Sequence, residues 1–178
     1  MNQSMNRRGL IVAGLVGVGG LGMMGFAKPP AKKAPQKAQC ADQELCAERQ
    51  AQQTLPQSSD PLWTILHACK VGYNAKTGIY SLQPTPQVKA MVGQTVKVKG
   101  FTLPLDGSDK TSHFLIGVNT PVCFYHPPGD PNQVIEVVSD RPITWDDKPA
   151  TVQGTFSLID NGEMGVFFKL IKARQVSS

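Results

Sequence analysis

A small, mainly β fold is the class this sequence predicts: a five-stranded OB-like barrel (oligonucleotide/oligosaccharide-binding type) with one N-terminal amphipathic helix. Three observations predict it. Five short runs carry strand signals: Thr95 to Leu103 and Ala150 to Ile159 alternate, Ser112 to Val118 is apolar, Val134 to Val138 is β-branched, and Val166 to Ile171 closes the series. Turn residues stand between the runs, at Asp106-Gly107, Pro127-Pro128-Gly129-Asp130, Asp146-Asp147 and Asn161-Gly162. Gly100 and Gly154 interrupt strand-like runs, as bulges and barrel bends do. Five strands with close turns fit a Greek-key barrel, a fold that by itself assigns no function.

The single helix opens this domain. Ser59 or Asp60 is placed to cap it, with Pro61 at the first helical position. Leu62, Trp63, Ile65, Leu66 and Cys69 then form an amphipathic stripe that ends near Gly72. Beyond it, Pro84 and Pro86 break any regular element before the first strand. Trp63 reads as core, and Phe167-Phe168 as a pair straddling a sheet with one ring buried. Asp146-Asp147 and Asp106 with Asp109 read as turn chemistry.

Ahead of the domain lie two further segments. Residues 1–27 have the order of a twin-arginine signal peptide: a polar basic start with Arg7-Arg8, the uncharged run Gly9 to Ala27, and small residues at Gly25 and Ala27 before Lys28. Seven glycines in that run make an uncleaved membrane anchor the less favoured alternative, and no lipobox precedes a cysteine. Residues 28–59 read as a flexible stalk rich in Pro, Ala, Lys and Gln, with a short helical segment containing Cys40 and Cys46. Six helical residues rise ~9 Å, beyond the ~7 Å a disulfide spans, so a Cys40–Cys46 pair excludes a continuous helix. Pairing with other cysteines, a metal, or no partner are the alternatives. The expected location is therefore the periplasm, an oxidising compartment.

Charge is best read without the signal. The whole chain carries +5, but from Asp60 onward there are eleven Lys or Arg against ten Asp or Glu. The domain (60–178) is nearly neutral, so nothing points to nucleic acid, which calls for a clustered basic face.

The run Asp60-Pro61-Leu62-Trp63, then Val96 to Leu105 (VKVKGFTLPL), His113-Phe114-Leu115-Ile116, Cys123, and Pro131 to Val137 (PNQVIEV) resembles a family of bacterial exported proteins and lipoproteins known as a domain of unknown function. The resemblance spans residues 60 to 173. It implies no established activity, and a gene neighbourhood with a MacB-like ABC transporter in clusters linked to zinc limitation. Where many members have Cys-x-x-Cys, this chain reads Cys123-Phe124-Tyr125-His126. A histidine cannot resolve a mixed disulfide, whereas imidazole and thiolate both ligate zinc or copper.

Cys123 and His126 precede a stiff Pro-Pro-Gly turn, His113 stands near a strand start, and His67 and Cys69 lie on the first helix. The candidate metal ligands are therefore Cys123, His126, His113 and Cys69, with zinc as the candidate ion. A Cys123–Cys69 disulfide, and an unreactive buried Cys with a surface His, stay open beside that reading. His67 and His113 taken singly read as structural. No phosphate loop, no His-Glu-x-x-His and no carboxylate pair is present, and no Asn or Asp at a recognisable spacing orients a Cys123/His126 pair. The residues thus favour a non-enzymatic role. The expected function is an exported binding or accessory protein handling a transition metal for a neighbouring transporter; the alternatives are an interaction barrel without ligand and a thiol-dependent enzyme. Replacing Arg7 and Arg8 with Lys should leave precursor in the cytoplasm, because the twin-arginine route reads the pair itself. Fractionation that finds the double variant exported normally would refute this.

Overall fold

The computed structural model describes residues 43–177, with side chains described from residue 46 onward. The signal segment and the stalk as far as residue 42, Cys40 included, lie outside the described residues. In chain order the elements are α1 (Gln43–Gln52), α2 (Pro61–His67), β1 (Lys70–Asn74), β2 (Ile79–Gln83), α3 (Pro86–Ala90), β3 (Thr95–Pro104), β4 (Lys110–Gly117), β5 (Val134–Thr144), β6 (Ala150–Asn161) and β7 (Val166–Gln175). Strands β3 to β7 are the five runs read from the sequence. They close into a barrel in the order β3-β4-β5-β7-β6, with β3 also paired to β6. The β5–β7 pair is parallel and the others are antiparallel. This is the Greek-key barrel expected from the strand and turn pattern.

Inward-facing residues of all five strands form one core, with Val98, Phe114, Ile135, Phe156 and Phe168 fully buried. Leu62, Trp63 and Leu66 of α2 join that core. Asp60 fixes the helix in two directions: one carboxylate oxygen accepts the Leu62 N–H at 2.9 Å, and the other accepts the Lys99 N–H of β3 at 2.9 Å. The Trp63 indole donates to the Lys99 carbonyl at 2.8 Å, so the buried ring leaves no orphan donor. Phe167 and Phe168 are both buried, where one exposed ring was expected.

Both strand glycines sit at close approaches. A β-carbon at Gly100 would lie 2.5 Å from the Gly117 carbonyl oxygen and 3.0 Å from the Trp63 ring. One at Gly154 would lie 2.9 Å from the Ala173 β-carbon, where the β6–β7 register shifts. The expected turn chemistry is present as well: Asp106 accepts from the N–H and hydroxyl of Ser108 and from the Thr111 hydroxyl.

Two parts differ from the sequence reading, besides Pro86, which opens the short helix α3 behind a Thr85 cap where the prolines predict a break. Helix α2 ends at His67, and Gly72 belongs to β1, opposite Ser81 in a β1–β2 hairpin the pattern did not disclose. That hairpin is largely exposed on both faces, so it lacks the alternation that marks a half-buried strand. The second difference concerns the domain boundary. The chain is bound to the barrel well before Asp60: Gln52 is buried, Ser58 N–H donates to the Val118 carbonyl at 2.8 Å, and the Ser58 hydroxyl donates to the Lys99 carbonyl at 2.6 Å. These anchors are polar, and a search for apolar stripes passes over them. The part of the stalk from α1 onward is therefore bound to the barrel, not a free linker.

Substituting Gly100 with Ala should cost about 1–3 kcal/mol in denaturant unfolding, the range for overpacking a filled site. Gly78→Ala meets no atom within 4 Å and carries only the strain of φ +72°, about 1–2 kcal/mol. A Gly100→Ala variant as stable as the native protein would show that the Gly100 contact is not a packing constraint.

Candidate functional site

The loop from residue 118 to 133 joins β4 to β5 and carries both Cys123 and His126. Its shape is set by side-chain amides. The Asn119 amide donates to the Pro128 carbonyl and to Gln133 Oε1, both at 3.2 Å, while Gln57 donates to Asn119 Oδ1 at 3.1 Å. Gln133 Oε1 also accepts the Asp130 N–H at 3.0 Å. The buried Asn119 amide and the half-buried Gln133 amide, each with several partners, hold the loop as a network rather than as a chain of single bonds.

Helix α1 closes over this loop. Arg49, with its side chain 10% exposed, donates from Nη1 to the Pro127 carbonyl at 2.9 Å and from Nη2 to the Gly129 carbonyl at 2.6 Å. Its Nε lies 3.4 Å from Asp130 Oδ1 and is buried without a hydrogen-bond acceptor. Burial pulls the guanidinium below its ordinary pKa, against the charges of Asp130 and Glu48. The neighbouring Glu48 is thereby brought to His126, with both carboxylate oxygens 3.0 Å from Nδ1. An ionised carboxylate only accepts, so in that state Nδ1 carries the proton and Nε2 keeps the ring's lone pair.

Cys123 completes the group. Among the described residues, Glu48, Cys123 and His126 bring a carboxylate oxygen, a thiol sulfur and a ring nitrogen within 4.8 Å of one another. Cys123 is a free, half-buried thiol whose sulfur accepts the Tyr125 N–H at 3.4 Å. Beside His126 opens a cavity of about 180 Å³ lined by Arg49, Tyr80, Tyr125, Asp130 and Glu163 among others. Tyr125 is 88% exposed and Phe124 59%, the latter packed against the Trp145 ring at 5.7 Å.

The other candidates lie elsewhere. Cys69 is a free thiol buried in the core, and its carbonyl accepts from Asn132 at 3.0 Å. Cys69 and Cys123 are both free, so the disulfide alternative between them does not form. Cys46 is disulfide-bonded. His113 faces the outside of the barrel, where its Nε2 lies 2.8 Å from Glu136 Oε1, and Lys169 holds the same oxygen at 2.9 Å. His67 makes a 3.4 Å contact with Gln133 at the edge of a separate polar cleft of about 480 Å³. Cys69 and His113 thus do not join Cys123 and His126. Glu48 and Arg49 take the place beside them, and no spacing rule singled these two out, because they lie 78 positions before the residues they bond.

A family model described as protein of unknown function, DUF3299, matches residues 30–176. Among solved structures, the chain is similar to a DUF3299 family protein from Pseudomonas aeruginosa PAO1, at 20% identity over 71% of this chain and 93% of that one, with a TM-score of 0.44. No curated protein matches the chain.

Glu136 gives the barrel wall a pH dependence. Burial opposes its charge, but hydrogen bonds from Lys169 and His113 outweigh that and hold its pKa below the ordinary value of 4.5. A carboxylate depressed in the folded state contributes stability above its unfolded pKa and loses it as pH falls through the folded one. Urea midpoints of the native protein should therefore decline below about pH 4.5, and Glu136→Gln should flatten that acid limb. An unchanged limb in the variant would assign it to other carboxylates.

Proposed function

The chain belongs to the DUF3299 family of proteins of unknown function, and we propose that it is a periplasmic accessory protein that holds a transition metal, zinc by its donor chemistry, for a neighbouring membrane transporter. The observation that carries this reading is the meeting of Glu48, Cys123 and His126 donor atoms within 4.8 Å. One sulfur, one imidazole nitrogen and one carboxylate oxygen are a donor set suited to zinc. Zinc would be held by the Cys123 thiolate, by His126 through Nδ1, and by Glu48, the cation taking the place of the proton that Nδ1 holds against the carboxylate. Three protein donors leave a fourth position open, which suits exchange of the ion more than permanent structural retention.

Two features support the location and the partner. The disulfide at Cys46 fits an oxidising compartment, in line with the twin-arginine pattern at the N-terminus. The transporter rests on the family resemblance of residues 60 to 173, and the exposed Phe124 and Tyr125 beside the site are side chains that a protein partner could cover.

A second reading has its own observation. The Glu48 carboxylate on His126 Nδ1 is the orienting group that a thiol nucleophile and its base require, and the sequence alone did not disclose it. In that reading Cys123 is the nucleophile of a thiol-dependent enzyme, and His126 accepts its proton.

Protein purified from the periplasm should carry about one zinc per chain by elemental analysis. Cys123→Ser should weaken zinc binding by at least ~10–100-fold, the loss that even outer-shell partners cause, with the circular dichroism spectrum unchanged. A chain that neither retains nor binds zinc, yet loses turnover of an activated ester on Cys123→Ser, would favour the enzyme reading.

A further inference from the structure

Among its described side chains, helix α1 reaches the loop of Cys123 and His126 through Glu48 and Arg49. It is ten residues long, below the length at which an isolated helix is stable in water. None of its described residues belongs to either hydrophobic cluster of the barrel. Gln52 is buried, and Arg49 reaches the Pro127 and Gly129 carbonyls, but the guanidinium loses water on docking and its Nε is left without an acceptor. Docking therefore gains hydrogen bonds to a charged group and gives back part of that gain in desolvation. A helix held mainly by polar bonds is one whose docking a ligand can bias.

The three donor residues divide across that equilibrium. Cys123 and His126 stand on the loop that Asn119 and Gln133 hold in shape, while Glu48 stands on α1 and arrives only when α1 is docked. A cation using all three donors meets them together in one state and meets only two in the other. That difference in donor number is the differential affinity that a population shift requires.

We propose that α1 is a strap whose docking is coupled to metal binding, with Arg49 the positioning residue that sets the coupling. The inference rests on the zinc reading of the Glu48, Cys123 and His126 site. Zinc closes the strap by recruiting Glu48, and loss of the strap releases zinc by withdrawing it. A partner that pulled α1 away would lower the affinity of the site without touching Cys123 or His126.

Coupling of this kind is reciprocal, which makes it measurable from both ends. In the full chain, amide exchange of residues 46–57 is followed with and without Zn²⁺, and Zn²⁺ affinity is titrated against a chromophoric chelator. Zinc should slow exchange in this segment by about tenfold, within the usual range for coupled sites, and leave the barrel strands unchanged. Arg49→Ala should weaken zinc by a similar factor with barrel exchange intact, and Arg49→Lys should recover only part, since an ammonium lacks the fork that spans two carbonyls. Glu48→Gln should abolish the slowing by zinc. If native protein binds one Zn²⁺ and exchange of 46–57 does not change, the strap is overturned while the zinc site stands. Zinc affinity unaltered in Arg49→Ala overturns it equally. Absence of any Zn²⁺ binding in the titration removes both readings.

Discussion

Closure of the barrel fixes where every loop must begin and end. The seam of β3 on β6 and the parallel pairing of β7 with β5 leave the five strands no freedom of order. The loop from 118 to 133 leaves β4 and returns to β5 across strands already paired over seven registered positions. Its ends are therefore pinned, and its interior needs only a few amide bonds to take one shape. Asn119 and Gln133, near the two ends of that loop, supply them, bonding across to Pro128, to Asp130 and to each other. The site thus inherits its rigidity from a sheet to which neither Cys123 nor His126 belongs.

The barrel was legible in the sequence because its signals are apolar and local. Alternation, β-branched runs and turn residues each act within ten or so positions, and burying one face of a strand leaves its period in the chain. The N-terminal helix of the barrel was legible for the same reason, through Asp60, Pro61 and Trp63. The β1–β2 hairpin left no such trace, since Val71, Tyr73 and Ile79 remain exposed. Of the site, the pair Cys123 and His126 could be read from residue type and spacing. Cys69 and His113 were drawn in by the same reasoning and belong to other surroundings, one to the core and one to the Glu136 ion pair on the barrel wall.

Glu48 and Arg49 show why the rest could not be read. Both act through polar bonds to backbone or imidazole across 78 positions or more. A polar contact leaves no periodicity, and a segment of Gln, Ala, Glu and Arg has the composition of a solvated helix whether or not it is docked. Asp60 marks where the hydrophobic core begins, while hydrogen bonds tie the chain to that core from α1 onward.

The two readings of the site place two protons differently. In the enzyme reading the Glu48 carboxylate keeps a proton on His126 Nδ1 and Nε2 serves as the base, whereas in the metal reading the cation replaces that proton, so that Nδ1 and Glu48 face the ion together. The destination of the Cys123 proton differs as well. In the metal reading it goes to solvent as the cation binds, and the thiolate and the Glu48 carboxylate then face a dication with matching charge. In the enzyme reading it goes to His126, giving an imidazolium between thiolate and carboxylate with no cation needed. Arg49 bears on that choice. Its charge lies next to Glu48, but it is committed to Pro127, Gly129 and Asp130. It is therefore not free to neutralise a thiolate, and the negative charge that collects at Cys123 and Glu48 must be met by a proton on His126 or by a cation from outside.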